Sequence, residues 1–179
     1  GRIKGQCELT NMLPVRQQTV QAGLERSLKA MNRGHSDESY LHRLARARAV
    51  RPDIALSGEV IVGCPGETEA EFTETLSLVE VVGYAQAFSF KYSPRPGTPA
   101  ATMDGQITPE VMDERLQRLQ AALQRISLAF NQSSVGKRCA VLVDRLGRRE
   151  GHWPGKLPSM HSVPLTGTAA IRQFVAVRC

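Results

Sequence analysis

The sequence predicts an α/β protein that closes with a small all-β module, on three observations. Between Val20 and Gly136, stretches of helical apolar spacing alternate with short apolar runs of strand character. After Gly136, glycines and prolines punctuate short alternating segments every few residues, the texture of a small β-barrel. Charge changes at the same place. Residues 1–135 carry 15 Lys+Arg and 15 Asp+Glu, whereas residues 136–179 carry 8 against 2, so the net charge of +6 lies in the last 44 residues. A basic module of that kind points to a polyanionic partner, most simply nucleic acid; the competing reading is a solvated basic face.

Residues 1–19 show no convincing period, which leaves a loop, a damaged strand or a ragged start open. Leu24, Leu28 and Met31 then recur at helical spacing and Gly34 marks the stop. Ser36 reads as the N-cap of a second helix with Asp37 and Glu38 in its first turn, Leu41 and Leu44 as its stripe and Pro52 beyond its end. Ile54 to Val62 is a near-continuous apolar run, as in a buried strand of a parallel sheet. Thr68 and Glu71 form a T-x-x-E capping box ahead of Phe72, Leu76 and Val79, with Gly83 as the stop. Phe88, Phe90 and Tyr92 alternate in a strand over Ala85–Tyr92. Thr108-Pro109-Glu110 opens a long helix whose Leu116, Leu119, Leu123, Ile126 and Phe130 make one stripe, expected to pack within the chain. Strands follow at Cys139–Val143 and near Ile171–Val177.

No run of about 18 apolar residues is present, so no transmembrane helix is expected. The opening residues lack the apolar core of a secretory signal, and a soluble cytoplasmic protein without a membrane partner is the expectation. Cys7, Cys64, Cys139 and Cys179 are scattered without a C-x-x-C pair, so neither disulfides nor a metal site are expected. His35, His42, His152 and His161 show no catalytic arrangement. Trp153 reads as a packing residue rather than a base-stacking one, and Glu67, Glu69, Glu71 and Glu74 as acids serving a helix N-terminus.

The stretch with the most chemistry is Ser57–Phe72, where a strand meets the turn Gly63-Cys64-Pro65-Gly66 and at once a capped helix. Ligands favour that junction, because strand ends face a crevice and glycines let a ligand approach the backbone. The prolines of Ser93–Pro99 cannot continue a ladder, so this segment is a rigid loop at the end of the next strand. Arg95, held between two of them, reads equally as an anion contact or as a surface arginine.

The blocks VQAGLERSLKAMNRGHS, SGEVIVGCPGETEAEF, FSFKYSPRPGTPA and the long helix with NQSSVGK, together covering about residues 20–165, resemble the C-terminal half of the radical SAM methylthiotransferases, in their tRNA-modifying branch. The resemblance implies part of a radical SAM (β/α) barrel over residues 1–106, a connecting helix over 107–135 and a TRAM-like basic β-barrel over 136–179. It implies addition of a methylthio group to C2 of N6-isopentenyladenosine next to the anticodon, with S-adenosylmethionine and two 4Fe-4S clusters as cofactors and the tRNA anticodon stem-loop as partner. Gln21, Gly23, Gly63, Pro65, Gly66 and Glu67 match positions that wall the S-adenosylmethionine site. Tyr92, Ser93, Arg95, Gly97 and Thr98 match the loop at its mouth, and Gly155 and Lys156 match a TRAM pair. Lys137, Arg138, Arg148 and Arg149 join Lys156 as expected RNA contacts on charge.

The C-x3-C-x2-C triad of the radical SAM cluster is absent, as are the three cysteines of the sulfur-donating cluster. No cluster ligand is therefore expected in this chain, which as given is expected to be inactive alone. A stand-alone RNA-binding remnant and a piece without function are the alternatives. A partial barrel would also leave a strand edge bare and prone to self-association.

Overall fold

A computed structural model describes residues 15–17, 37–149, 151–159, 161–167 and 169–179. The helix expected from Val20 to Gly34 and the cap at Ser36 lie outside the described residues, as do Cys7, Gln21, Gly23 and His35.

Three parallel strands form the first sheet in the order β1 (Val15–Gln17), β2 (Ala55–Val62), β3 (Gln86–Lys91). Val15 stands beside Ala55, and β2 and β3 run in register from Ser57 beside Gln86 to Val62 beside Lys91. Helix α1 (Asp37–Val50) buries Tyr40, Leu44 and Ala47, which recur at steps of four and three. Helix α2 (Glu69–Val82) opens on the full capping box, with Thr68 Oγ1 accepting from the Glu71 amide and the Glu71 carboxylate accepting from the Thr68 amide. It closes on Gly83 in the left-handed conformation.

Helix α3 (Pro109–Gln132) lays Leu119, Leu123 and Ile126 into the same apolar cluster as Leu56, Val60, Val62, Phe72 and Val79. The helix is thus part of the core, as its single stripe requires. The Tyr84 ring also enters this core, its hydroxyl 2.8 Å from that of Tyr40. It lies so close to Gly58 that a Cβ there would meet the ring at 2.6 Å.

Alternation in β2 sends Leu56, Val60 and Val62 into the core and leaves Glu59 and Ile61 half-buried on the other face. Their register partners on that face, Phe88 and Phe90, are each 50% exposed. Among the described residues the first sheet is covered by helices on one side only.

The second sheet is antiparallel in the order β6 (Ser162–Thr166), β5 (His152–Lys156), β4 (Arg138–Val143), β7 (Phe174–Arg178). Neither sheet closes on itself among the described residues: an open first sheet is compatible with part of a barrel, whereas the small β-barrel expected over residues 136–179 is instead an open antiparallel sheet. Closure requires the outer strands to bond to one another. Here β6 and β7 sit at opposite edges of one sheet, and β1 and β3 at opposite edges of the other. The two sheets meet around Ala85, whose carbonyl accepts from the Ser127 hydroxyl (2.9 Å) and from His161 Nε2 (3.2 Å). Since a carbonyl only accepts, Nε2 carries the proton. The His161 ring stacks on Phe130 with centroids 5.7 Å apart. Among the described residues no helix is long and apolar enough to cross a membrane.

Candidate functional site

Because Val62 and Lys91 are register partners, the turn after β2 and the segment after β3 leave the sheet side by side. The Tyr92 amide donates to Val62 O at 2.8 Å and ties the two exits together. Gly63 and Tyr92 thereby follow directly on neighbouring strand ends, with Pro65, Gly66 and Glu67 further along one exit and Ser93, Arg95, Gly97 and Thr98 further along the other.

The turn is engaged from within. Both carboxylate oxygens of Glu67 accept from the Gly63 amide, at 3.2 and 3.1 Å. Arg115 of α3 donates Nη1 to Glu67 Oε1 at 2.8 Å and to the Glu67 carbonyl at 2.9 Å. The Gly66 amide donates to Gly105 O (2.8 Å) and the Glu67 amide to Cys64 O (2.9 Å). An anion is already seated against the Gly63 amide, and it is the chain's own Glu67. A ligand at this turn would meet its carbonyls and neighbouring side chains rather than these three amides.

Gly63 has a positive φ of 77°, and a Cβ there would collide with the Met112 side chain of α3. The left-handed backbone of the turn and the packing of α3 each favour glycine at this position, apart from any approach of a ligand. Burial raises the Glu67 carboxyl above its ordinary value, against the opposing pull of the Gly63 amide and Arg115. Burial, and after it the negative charge of Glu67, pushes the Cys64 thiol up to about 12.

At the mouth, the buried Tyr92 hydroxyl has no hydrogen-bond partner among the described residues. Ser93, Arg95, Gly97 and Thr98 are exposed. The Arg95 carbonyl accepts from both the Thr98 amide (3.1 Å) and its hydroxyl (2.7 Å), so the loop is a stiff turn that holds Arg95 outward. Arg115 and Met112 were not singled out in the sequence. Their signal was there: Met112, Arg115 and Leu119 continue the apolar stripe of α3 at steps of three and four, and a cation in such a stripe needs a buried partner.

The basic residues of the second sheet divide between one face and a loop. On that face Arg138 stands opposite Arg178, Ala140 opposite Ala176, and Ser162, Lys156, Leu142 and Phe174 form one row across all four strands. Phe174 is 69% exposed. Lys137 lies just before β4 and is exposed. Arg148 and Arg149 lie in the loop between β4 and β5, where with His152, Trp153, Pro154 and Pro164 they border a groove of about 300 Å³. Trp153 donates Nε1–H to Gly167 O at 2.9 Å, which fixes the ring at the groove. Phe174 went unmarked in the sequence, although FVAVR places it on one face with Ala176 and Arg178.

Among the described residues no group of three or more His, Cys, Asp or Glu side chains could hold a metal ion.

No protein-family model matches the chain. It is 60% identical over 177 residues to the tRNA-2-methylthio-N(6)-dimethylallyladenosine synthase of Novosphingobium aromaticivorans, which covers 99% of this chain and 40% of that protein. The enzyme of the same name from Erythrobacter litoralis is 60% identical over 170 residues, covering 95% and 38%, and that of Sphingopyxis alaskensis is 52% identical over 179 residues, covering 99% and 40%. Among solved structures, coproporphyrinogen III oxidase from Escherichia coli, described as a radical SAM enzyme, superposes with a TM-score of 0.54 at 22% identity, over 63% of this chain and 27% of that one. That likeness is one of fold. Over nearly its whole length the chain matches a portion of the tRNA-2-methylthio-N(6)-dimethylallyladenosine synthases and spans about 40% of the length of these relatives.

Proposed function

We propose that this chain is part of a tRNA-modifying methylthiotransferase that adds a methylthio group to C2 of N6-isopentenyladenosine beside the anticodon, in the cytoplasm. The observation that carries the reading is the pair of parallel-strand exits, Gly63–Glu67 and Tyr92–Thr98, in a chain 60% identical over 177 residues to proteins named for that product. S-adenosylmethionine fits here: the orphaned Tyr92 hydroxyl offers a hydrogen bond, and Gly66 of the turn is half-exposed. Pro65, Gly66 and Tyr92 would contact it, Gln21 and Gly23 would complete its wall, and Glu67 and Arg115 hold the turn. When bound, the cofactor supplies a methyl group and a radical precursor. The cysteines of this chain do not fit either 4Fe-4S cluster, since Cys64 is buried and none has the triad spacing; residues outside this chain would ligate both.

The second sheet would hold the anticodon stem-loop. Lys137, Arg138, Lys156 and Arg178 take phosphates, Arg148 and Arg149 flank the Trp153 groove, and Phe174 offers a ring for a splayed base. This arrangement also favours a second reading, RNA binding by this chain alone. The edge of β3, unpaired among the described residues, would support self-association, with sedimentation at rising concentration as its check.

Deleting the gene from its source organism should abolish the 2-methylthio form of isopentenyladenosine in digested tRNA, and returning the gene should restore it. Unchanged nucleoside levels in the deletion strain would overturn the enzymatic reading.

A further inference from the structure

Two cysteines that lie 40 residues apart in sequence come together at one end of the basic sheet. Cys139 follows Arg138 at the start of β4 and has Val177 as its register partner, so Cys179 stands on the diagonal, two residues on. The backbone of Cys179 is fixed there: its amide donates to Lys137 O at 3.0 Å and its carbonyl accepts from the Gly136 amide at 2.7 Å. The two Sγ atoms lie 2.9 Å apart, closer than unbonded sulfurs ordinarily rest. Cys179 is exposed and Cys139 half-buried, so a small reagent reaches the first. Cys64 is buried in the other sheet's turn.

The same strand end carries a local conflict. Arg138 and Arg178 are direct register partners, and like charges opposite one another weaken a ladder. The Arg178 Nε donates to Gly136 O at 3.2 Å, which draws one guanidinium toward the backbone of the turn. A covalent link between the flanking residues would oppose fraying at this point.

We propose that Cys139 and Cys179 form an oxidisable dithiol that accepts small disulfides as oxidants and closes to an intramolecular disulfide. The Cys179 thiolate attacks one sulfur of the reagent, forms a mixed disulfide and releases the first thiol. Cys139 then loses its proton, attacks Cys179 Sγ and releases the second thiol. The protein thiols give up two electrons and two protons, and the reagent becomes two molecules of thiol, so the exchange balances. The order follows from access and acidity. Burial, and after it the hydrogen bond to Cys179, pushes the Cys139 thiol up to about 11, which makes it the slower entrant. Once closed, the link joins the first residues of β4 to the last of β7 and fixes Arg138 and Arg178 on the same face. The proposal stands apart from the methylthiotransferase reading, because it uses neither the cofactor turn nor bound RNA.

The test treats the chain with oxidised glutathione at neutral pH and follows intact mass and peptide maps without reduction. The expected result in the peptide maps of the monomer is a linked Cys139–Cys179 pair, two hydrogen atoms lighter than the two free peptides, with Cys64 free. Dithiothreitol should return both thiols. In Cys139→Ser the reaction should stop at a persistent glutathione adduct on Cys179, which shows the entry thiol in a chain that keeps its fold. A wild-type chain that retains the adduct on Cys179, cross-links into dimers, or joins Cys139 to any other cysteine would overturn the proposal.

Discussion

Glu67 and Arg115 form a buried ion pair across 48 residues of sequence, with Oε1 and Nη1 2.8 Å apart and each side chain 6% exposed. Removing one partner of such a pair leaves an uncompensated charge and typically costs ~3–5 kcal/mol. Arg115→Met should lower stability by about that amount in urea denaturation. Glu67→Gln should cost less, because its amide oxygen still accepts from Gly63 and Arg115 keeps the Glu67 carbonyl. Equal losses in the two variants would contradict the assigned contacts.

The same pair predicts a pH dependence. Burial already raises the Glu67 carboxyl above its ordinary value of 4.5, and Arg115 opposes the rise. Without Arg115 the folded state holds a proton at pH values where the unfolded chain has released it. Stability then falls as pH rises from the ordinary value to the raised one. The deficit of Arg115→Met against wild type should therefore shrink on acidification from neutral toward pH 5. A deficit constant with pH would assign the whole loss to packing.

Gly63→Ala combines two costs, a left-handed backbone and a clash with Met112. A Met112→Ala background removes the clash and leaves the backbone term of ~1 kcal/mol or more. The double variant should thus be more stable than additivity of the two single changes predicts, read from denaturation midpoints.

Cys64 should resist alkylation in the folded chain at pH 8, since its thiol is held near 12, and react at once in denaturant. Mass mapping after a timed iodoacetamide pulse distinguishes it from Cys179. Rapid native labelling of Cys64 would show that the turn opens.

On the basic sheet, reversing the charges of Lys137, Arg138, Arg148 and Arg149 together should abolish tRNA binding, whose affinity in wild type should fall steeply with salt. Phe174→Ala should weaken binding by ~1–3 kcal/mol, the measure of one stacked base, without changing the salt slope. Unchanged affinity in Phe174→Ala would place the aromatic outside the contact.

Local signals in the sequence were strong wherever one residue type does one thing. The Thr68 and Glu71 box, the Gly83 stop and the Thr108-Pro109 start each fix a helix end through nearby atoms, and the structure has them. What the sequence hid was long-range register. Nothing in the spacing of Cys139 and Cys179 shows that β4 and β7 pair so that their sulfurs meet, nor that β6 and β7 stand at opposite edges of the second sheet rather than closing it. Gly63 was noticed for its turn, and its left-handed backbone bears that out, but the second reason for glycine lies in Met112, 49 positions on. The alternation of Phe88 and Phe90 did not say which face they take, and it is one that the described residues leave uncovered.

The helix α3 touches the turn with Met112 and Arg115 near its start. Near its end it holds Ala85, just before β3 of the first sheet, with Ser127, and His161, just before β6 of the second sheet, with Phe130. It therefore acts as a ruler. Met112 and Phe130 are separated by about 27 Å of axial rise, and each residue also sets about 100° of rotation. A single residue inserted between Arg115 and Leu123 would turn Leu123, Ile126 and Ser127 away from the core and Ala85 at the same stroke as it swings Phe130 from His161. The seat of the basic sheet and the packing of the first sheet would be lost together.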